Sequence, residues 1–471
     1  MIMKNRYVLI FKSFNFLIAA TLLVGCGVYN KYERPDVETT GLVRDVLNDR
    51  DTLAVQDTAS FGNLPWRAVF TDPQLQALIE QGMQKNANLQ NAILNVQMYE
   101  SMLKAAKLAF LPAISIGSAQ SMGSISTLYT DPSVTTKSYS IPVSASWTLD
   151  LFGNILSQKR STQMKLLGMK DYQMAVRAQV VSGIANSYYT LLMLDEQLRI
   201  VNEMSNMSKE TWEMMKLQYQ LGRVRSTNVQ SAEAAYLSTQ TQANDFQRQI
   251  RATENALSLL IGQQGQHIPR STLAQQSLPT EFSTGVGVAL LKNRPDVHNA
   301  EMSLASCFHD IQTARSQFYP NITVGASLAF TNSNGNLNPG KWLSTLFGSL
   351  TQPIFQRGAL KVNLKVKKLQ YEQAFNTWQN AILQAGNEVS NALVNYNGYD
   401  ANSKIEAQRV EVLAKNVEDT RALYTSKGST YLEVLTAQTQ LLSAQLNKVT
   451  ADFNKMQSVV SLYTALGGGG K

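Results

Sequence analysis

Two cysteines, three histidines and twelve prolines in 471 residues set narrow limits. Cys26 closes the first apolar run, which leaves Cys307 as the only other thiol and gives the mature chain no intrachain disulfide to rely on. Stability must then come from packing or assembly. Cys307 itself reads as a small apolar residue on a helix. His267, His298 and His309 lack the further ligands that a metal centre needs, although the last two are eleven apart and able to share one helix face. Met204, Met207, Met214 and Met215 have no Cys or His beside them, so they read as packing residues rather than as a soft-metal path. No phosphate-binding glycine loop is present, and no catalytic constellation stands out. No enzymatic activity and no cofactor are expected, and any work done through this chain must draw its energy from a partner.

What is present begins with an address. Lys4, Arg6 and Lys12 precede a short apolar run from Phe14 to Gly25 that ends in Leu23-Val24-Gly25-Cys26. The run is too short to span a bilayer as a helix and reads as a secretory signal, residues 1–25. A small residue before a cysteine at its end is the lipobox pattern, which makes Cys26 the lipid attachment site and the first mature residue. Removing three basic residues lowers the formal charge from +8 to +5. That excess is scattered except at Lys361-Val-Asn-Leu-Lys365-Val-Lys367-Lys368. Nucleic-acid binding would want a basic face with interleaved aromatics, so this stretch reads as a solvated helix face or as a cuff meeting anionic headgroups beside a membrane.

The chain is also written twice. Asn86 to Ala92 leads into Phe110-Leu-Pro112-Ala-Ile-Ser-Ile-Gly117, and Arg294 to Ala300 leads at the same spacing into Phe318-Tyr-Pro320-Asn-Ile-Thr-Val-Gly325. Tyr219, Ala232 and Gly262 are spaced as Tyr424, Ala437 and Gly467 are. A repeat of this length is too long for a solenoid unit and implies two quasi-equivalent halves of one symmetric object.

Each half alternates strands with long helices. Asn154 to Gln220 contains no proline and predicts a rod of roughly 100 Å. A break at Gly222 and a second helical run from about Ser226 to Gly262 follow. The other half repeats this from about Ala359 to Lys427, through a turn at Gly428-Ser429-Thr430, then from Tyr431 to Leu466. In that last run Leu432, Leu435, Thr439, Leu442, Leu446, Val449, Phe453, Met456, Val460 and Tyr463 form a heptad seam. Ahead of each rod the period changes to two. Tyr139, Ile141, Val143, Ala145, Trp147 and Leu149 alternate with polar residues, as do Ile322, Val324, Ala326, Leu328 and Phe330. Their partners start at Ile114 and run from Trp342 to Phe355. Such strands are long enough to cross a bilayer when tilted. If these strands insert, four cannot close a barrel and an open edge cannot face lipid, so several chains must pool their hairpins; a trimer would give twelve strands, and the sequence alone allows other copy numbers.

The residues now in view resemble the TolC family of outer-membrane efflux proteins, in its lipoprotein branch serving resistance-nodulation-division pumps. The resemblance is carried in order by Cys26, Tyr32-Glu-Arg34-Pro35, the stretch from Trp66 to Ile79, Asp150-Leu-Phe152-Gly153, Arg294-Pro295-Asp296-Val297, Phe318-Tyr-Pro320, Gln352-Pro-Ile-Phe355 and the terminal Leu462-Tyr-Thr-Ala-Leu-Gly-Gly. It implies a mainly α protein with a membrane β-barrel, each chain holding two pseudo-repeats of short helix, β-hairpin and long helical hairpin. It also implies a homotrimer with a 12-stranded barrel and a 12-helix periplasmic α-barrel, located in the outer membrane and docking to a periplasmic adaptor and an inner-membrane transporter. On this plan 26–70 is the lipid-anchored segment, 71–111 helical, 112–152 the first hairpin, 153–262 the first helical hairpin and 263–292 an equatorial connection. Residues 293–319, 320–357 and 358–466 repeat helix, strands and helical hairpin, and 467–471 is a tail. The family's turn motif matches Tyr424, Gly428, Glu433 and Ala437, which makes Glu433, Tyr424 and Thr436 the expected periplasmic gate and Gly222, Arg223, Gly428 and Ser429 the expected adaptor-docking turns. Asn228 and Thr436 stand where relatives often carry acids. The expected function is a passive exit duct for drugs or other small molecules, with the same duct in metal export or protein secretion as variants. The alternative is a pore-less structural lipoprotein spanning the periplasm.

Overall fold

The computed structural model describes residues 30–37, 61–127, 130–279, 294–333, 342–426 and 428–470. The signal, Cys26, most of the 26–70 segment, the later part of the 263–292 connection, the Asn- and Gly-rich loop near 335 and Lys471 lie outside the described residues. The chain forms two compact units, one of residues 1–37, 96–169 and 300–378, the other of residues 38–95, 170–299 and 379–471.

Element order repeats. Helices α1 (Trp66–Val69), α2 (Pro73–Lys85) and α3 (Ala87–Leu108) lead into β1 (Ala113–Ile116), β2 (Ala119–Thr127) and β3 (Thr130–Leu149), then α4 (Asn154–Gln220) and α5 (Ser226–Leu260). The second half has α6 (Pro295–Ser316), β4 (Asn321–Ser333), β5 (Trp342–Thr351), α7 (Ala359–Thr425) and α8 (Tyr431–Ala465). Both rods, α4 and α7, are 67 residues long, and both returning helices, α5 and α8, are 35. Equivalent ends are closed by equivalent chemistry. Gly262 and Gly467 hold φ of 68° and 84°. There Gln263 N–H donates to Ser258 O at 2.8 Å and Gly468 N–H to Tyr463 O at 2.9 Å, the Schellman closure that a left-handed glycine permits. Asn86 Nδ2 then donates to Leu260 O at 2.9 Å, and Arg294 Nη1 to Ala465 O at 3.0 Å. The residue that starts each repeat thus satisfies an orphan carbonyl at the end of the same repeat.

The helices expected within 71–111 meet at Asn86, which leaves α2 and caps α3 through Leu89 N–H at 3.1 Å. One boundary differs from expectation for a local reason. The strand from Trp342 stops at Thr351 rather than Phe355, ahead of Pro353, which has no N–H to give a ladder. The two hairpins are not separate: β3 pairs antiparallel with β4, giving a five-stranded sheet in the order β1-β3-β4-β5 with β2 also on β3.

The core of the second unit gathers Phe70, Leu75, Ile79, Ile184, Tyr188, Leu191 and Tyr463, each at most 1% exposed. The heptad seam of α8 holds from Leu442 through Val449, Phe453, Val460 and Tyr463. It fails at its start, where Leu432 is 68% exposed and Val434, Ala437 and Leu441 are buried instead. Ala437 and Leu441 pack on Val417 of α7, while Leu442 and Val449 join the main core. One helix therefore buries two flanks, which a single seam cannot describe. Met204 and Met207 sit in the main core and Met215 in a small cluster, leaving Met214 partly exposed.

In the first unit His309 is 6% exposed, and burial, helped by Arg160, pushes its pKa down to about 4 against the opposing pull of Asp310. Unfolded, the imidazole titrates near 6.5. The unfolded chain thus takes up the proton first, and stability is lost as pH falls from about 6.5 towards 4. His309→Asn is expected to flatten that limb, which spans on the order of 3 kcal/mol. Denaturation midpoints at pH 7 and 5 measure it, and an equal slope in both proteins contradicts it.

Candidate functional site

Register decides what the sheet can face. Ile114 and Ile116 stand opposite Ala145 and Val143; Val143, Ala145, Trp147 and Leu149 stand opposite Leu328, Ala326, Val324 and Ile322; Ala326 and Ile322 stand opposite Leu346 and Leu350. Directly paired residues share a face, so the apolar alternation of four strands is in phase. These side chains are not covered: Ile114 is 76% exposed, Ile116 74%, Leu346 81% and Leu350 67%. The opposite face carries Ser115, Ser144, Ser146, Thr148, Ser327, Thr323 and Ser349, with Ser115 and Ser144 hydroxyls 2.8 Å apart. On that face a Cβ on Gly325 would meet the Phe347 ring at 2.3 Å and Ala145 O at 2.9 Å, so a side chain there would displace the ring and crowd the neighbouring strand's backbone.

The second region is the pair of turns where the rods reverse. At the α4–α5 turn Gly222 has φ of 69° and Arg223 N–H donates to Gln218 O at 2.9 Å. At the α7–α8 turn Gly428 N–H donates to Leu423 O at 2.8 Å and Ser429 Oγ to Thr420 O at 3.2 Å. The structure brings the two turns together. Tyr424 Oη donates to Gln218 Oε1 at 2.9 Å, and its ring packs with Met215, Ala232 and Tyr431. Burial, and then Tyr424, raises the Tyr431 pKa. Gly222, Arg223 and Gly428 are exposed and Ser429 is partly so.

Glu433 and Thr436 stay exposed on the first turns of α8. Thr430 N–H donates to Glu433 Oε2 at 3.1 Å and Glu433 N–H to Thr430 Oγ1 at 3.4 Å, a reciprocal capping box. Thr436 Oγ1 turns back to Leu432 O at 2.8 Å. The equivalent start of α5 has Arg225 as N-cap with no side-chain bond. Both turns are closed by a backbone bond, and the α7–α8 turn adds side-chain closure that the α4–α5 turn lacks at its N-cap. Glutamine fills the same box, so Glu433→Gln is expected to change stability by less than about 1 kcal/mol, whereas Glu433→Ala costs about 1 kcal/mol. Denaturation of the two variants side by side checks this; equal losses would remove the capping role.

Sequence reasoning missed the polar clamps of the second unit. Arg270 grips Asp195 with two donors, one at 2.9 Å, and Glu254 at 2.7 Å, while His267 Nδ1 lies 2.9 Å from Glu254. Burial pushes the Glu254 carboxyl up, but hydrogen bonds from Arg270 and Ile268 N–H outweigh it and hold it below the usual range. Asp72 caps α2 through Gln74 N–H at 2.9 Å and also accepts from Tyr188 at 2.6 Å, Gln276 at 2.8 Å and Ser271. Burial opposes ionisation there too, and the bonds from Ser271, Tyr188 and Gln276 prevail. These partners lie far apart along the chain, 83 residues from Tyr188 to Ser271, and leave no local pattern in the sequence. His298 Nδ1 lies 2.6 Å from Asp171, so His298 has its own partner. Among the described residues no group of three His, Cys, Asp or Glu could hold a metal ion, and no helix is long and apolar enough to cross a membrane.

Comparison with known proteins places these features in context. The family model for outer membrane efflux proteins matches residues 78–263 and 286–468. Cation efflux system protein CusC of Escherichia coli strain K12 is 26% identical over 453 residues, covering 96% of this chain and 98% of its own. Toluene efflux pump outer membrane protein TtgI of Pseudomonas putida is 27% identical over 467 residues, covering 96% and 97%. Among solved structures, crystal structures of CusC superpose with a TM-score of 0.81 at 24% identity over 94% of this chain and 100% of that one. The outer-membrane channel OprN does so with 0.83 at 21% identity over 94% and 99%.

Proposed function

We propose, from the premise that this chain belongs to the outer membrane efflux protein family, that it is the exit duct of a tripartite efflux system. It lies in the outer membrane and extends into the periplasm, and it works as a passive conduit rather than an enzyme. The observation that carries the reading is the in-phase sheet face, apolar and exposed on β1, β3, β4 and β5, with a polar face behind it. That is the cross-section of a transmembrane barrel wall, lipid on one side and water on the other. A pore-less spacer has no use for it. One chain cannot close such a wall; β1 and β2 are successive segments along the same edge of β3, so each chain offers four strand positions, and three chains pool these into a 12-stranded barrel and their six rods and six returning helices into a 12-helix tunnel.

The paired turns are the gated periplasmic end. In a threefold assembly the exposed Glu433 of each chain faces the axis and attracts cations, with Tyr424 and Thr436 completing the constriction. Gly222, Arg223, Gly428 and Ser429 dock the adaptor, behind which an inner-membrane transporter supplies the energy. Cys26 carries the lipid; a palmitate analogue should label the chain and not its Cys26→Ser variant, and full labelling of that variant would remove the assignment. CusC is named for cations and TtgI for toluene at nearly equal identity, so resemblance does not select the cargo.

Purified protein is expected to give discrete unitary currents in planar bilayers, with cation preference and divalent block weakened in Glu433→Gln. A preparation that inserts yet conducts nothing refutes the duct. Unchanged selectivity in the variant assigns Glu433 to helix capping alone.

A further inference from the structure

The four helix ends that meet the sheet are where this chain keeps its positive charge. β1 starts just after α3, β3 ends just before α4, β4 starts just after α6 and β5 ends just before α7. Ala113 stands opposite Ser146, Leu149 opposite Ile322 and Asn321 opposite Thr351, so all four junctions lie along one end of the sheet. The twelve residues of each helix nearest that end span roughly 18 Å. Together with the connecting segments they hold eleven Lys and Arg against three acids, Glu100, Asp150 and Asp310. This collar is net +8, more than the +5 of the whole mature chain, and the remainder is therefore net negative.

Asp150 and Asp310 are committed within the chain. Asp150 accepts from Ile155 N–H at 3.0 Å and Leu156 N–H at 2.7 Å, capping α4. Asp310 accepts from Ser161 at 2.6 Å and lies 4.0 Å from Lys165 and 3.8 Å from Lys367. On α7 the lysines divide by face. Lys367 turns to Asp310, and Asn363 to Gln317 at 3.2 Å. Lys361, Lys365 and Lys368 follow the spacing of a different helix face and are all exposed. Beside them runs an apolar stripe, Val362 at 62% exposure, Val366 at 43% and Leu369 at 49%. Lysine stems laid along apolar surface with their ammonium groups at its margin are suited to a boundary between hydrocarbon and headgroups.

We infer that the stripe of Lys361, Lys365 and Lys368 binds the phosphodiester headgroups of anionic phospholipids in the leaflet on the helix side of the sheet. The inference rests on the sheet's lying in the outer membrane, and it names the lipid that the collar selects. Attraction to an anionic surface gives roughly fivefold per lysine at low salt, so three act together on the order of a hundredfold, and the effect weakens as salt screens it.

The test uses the full-length protein in nanodiscs of mixed phosphatidylglycerol and phosphatidylcholine. Enrichment of the anionic lipid around wild type is compared with K361Q/K365Q/K368Q, and unitary current is recorded from the same preparations. Wild type is expected to enrich phosphatidylglycerol at low salt, and the triple variant to lose that enrichment while keeping its conductance and ion selectivity. Unchanged enrichment in the variant overturns the inference. So does competition by inorganic phosphate as effective as that by lipid, which marks a soluble-anion site. A variant with altered ion selectivity places the stripe in the lumen and overturns it as well. Absence of current from wild type instead refutes the duct, and leaves the lipid measurement readable by itself.

Discussion

Leu346→Arg is expected to destabilise the assembled protein by about 2–4 kcal/mol, because it puts a guanidinium at mid-strand on the apolar face of the sheet. Leu346 stands opposite Ala326 on β5's neighbour and is 81% exposed within one chain. On a water-facing surface an arginine there would cost almost nothing. Ser349→Arg, three residues along the same strand but on the polar face, supplies the control and should be tolerated. The readout is heat-resistant oligomer in the membrane fraction. Equal recovery of both variants would mean that the two faces see the same solvent, and would end the barrel reading.

Arg270→Met should cost about 3–5 kcal/mol, since it strips the cation from Glu254 and leaves a buried carboxylate unpaired. The Glu254 side chain is only 5% exposed, and Arg270 only 9%. The residual partners, Ile268 N–H and the largely exposed His267, do not replace a guanidinium. Arg270→Met combined with Glu254→Gln should recover much of the loss, because the remaining amide is neutral and can use the same neighbours. Chemical denaturation of the detergent-solubilised variants measures both. A double variant no better than the single one would show that the clamp acts through packing rather than charge.

What was legible in the sequence was everything governed by period and duplication. The change from period two to helical spacing marked β3 and β4 against α4 and α7, and the repeat placed Gly262 and Gly467 at matching helix ends. The resemblance supplied the family, and the match over residues 78–263 and 286–468 bears it out. What the sequence hid was whatever depended on side chains meeting across long separations. Arg270 meets Asp195 from 75 positions away, and Arg294 meets Glu388 from 94. Neither pairing leaves a local pattern. The joining of the two hairpins through β3 and β4 was hidden for the same reason, since antiparallel register is set by partners rather than by neighbours. At Glu433 the resemblance implied a gate residue; the structure shows a helix cap within one chain, and a gate would be a property of three.

Closure of the barrel depends on copy number, which native mass spectrometry of the full-length protein, released gently from detergent, reads out. A single dominant species of three chains is the expected result, and a stable monomer that retains its membrane fold would contradict it.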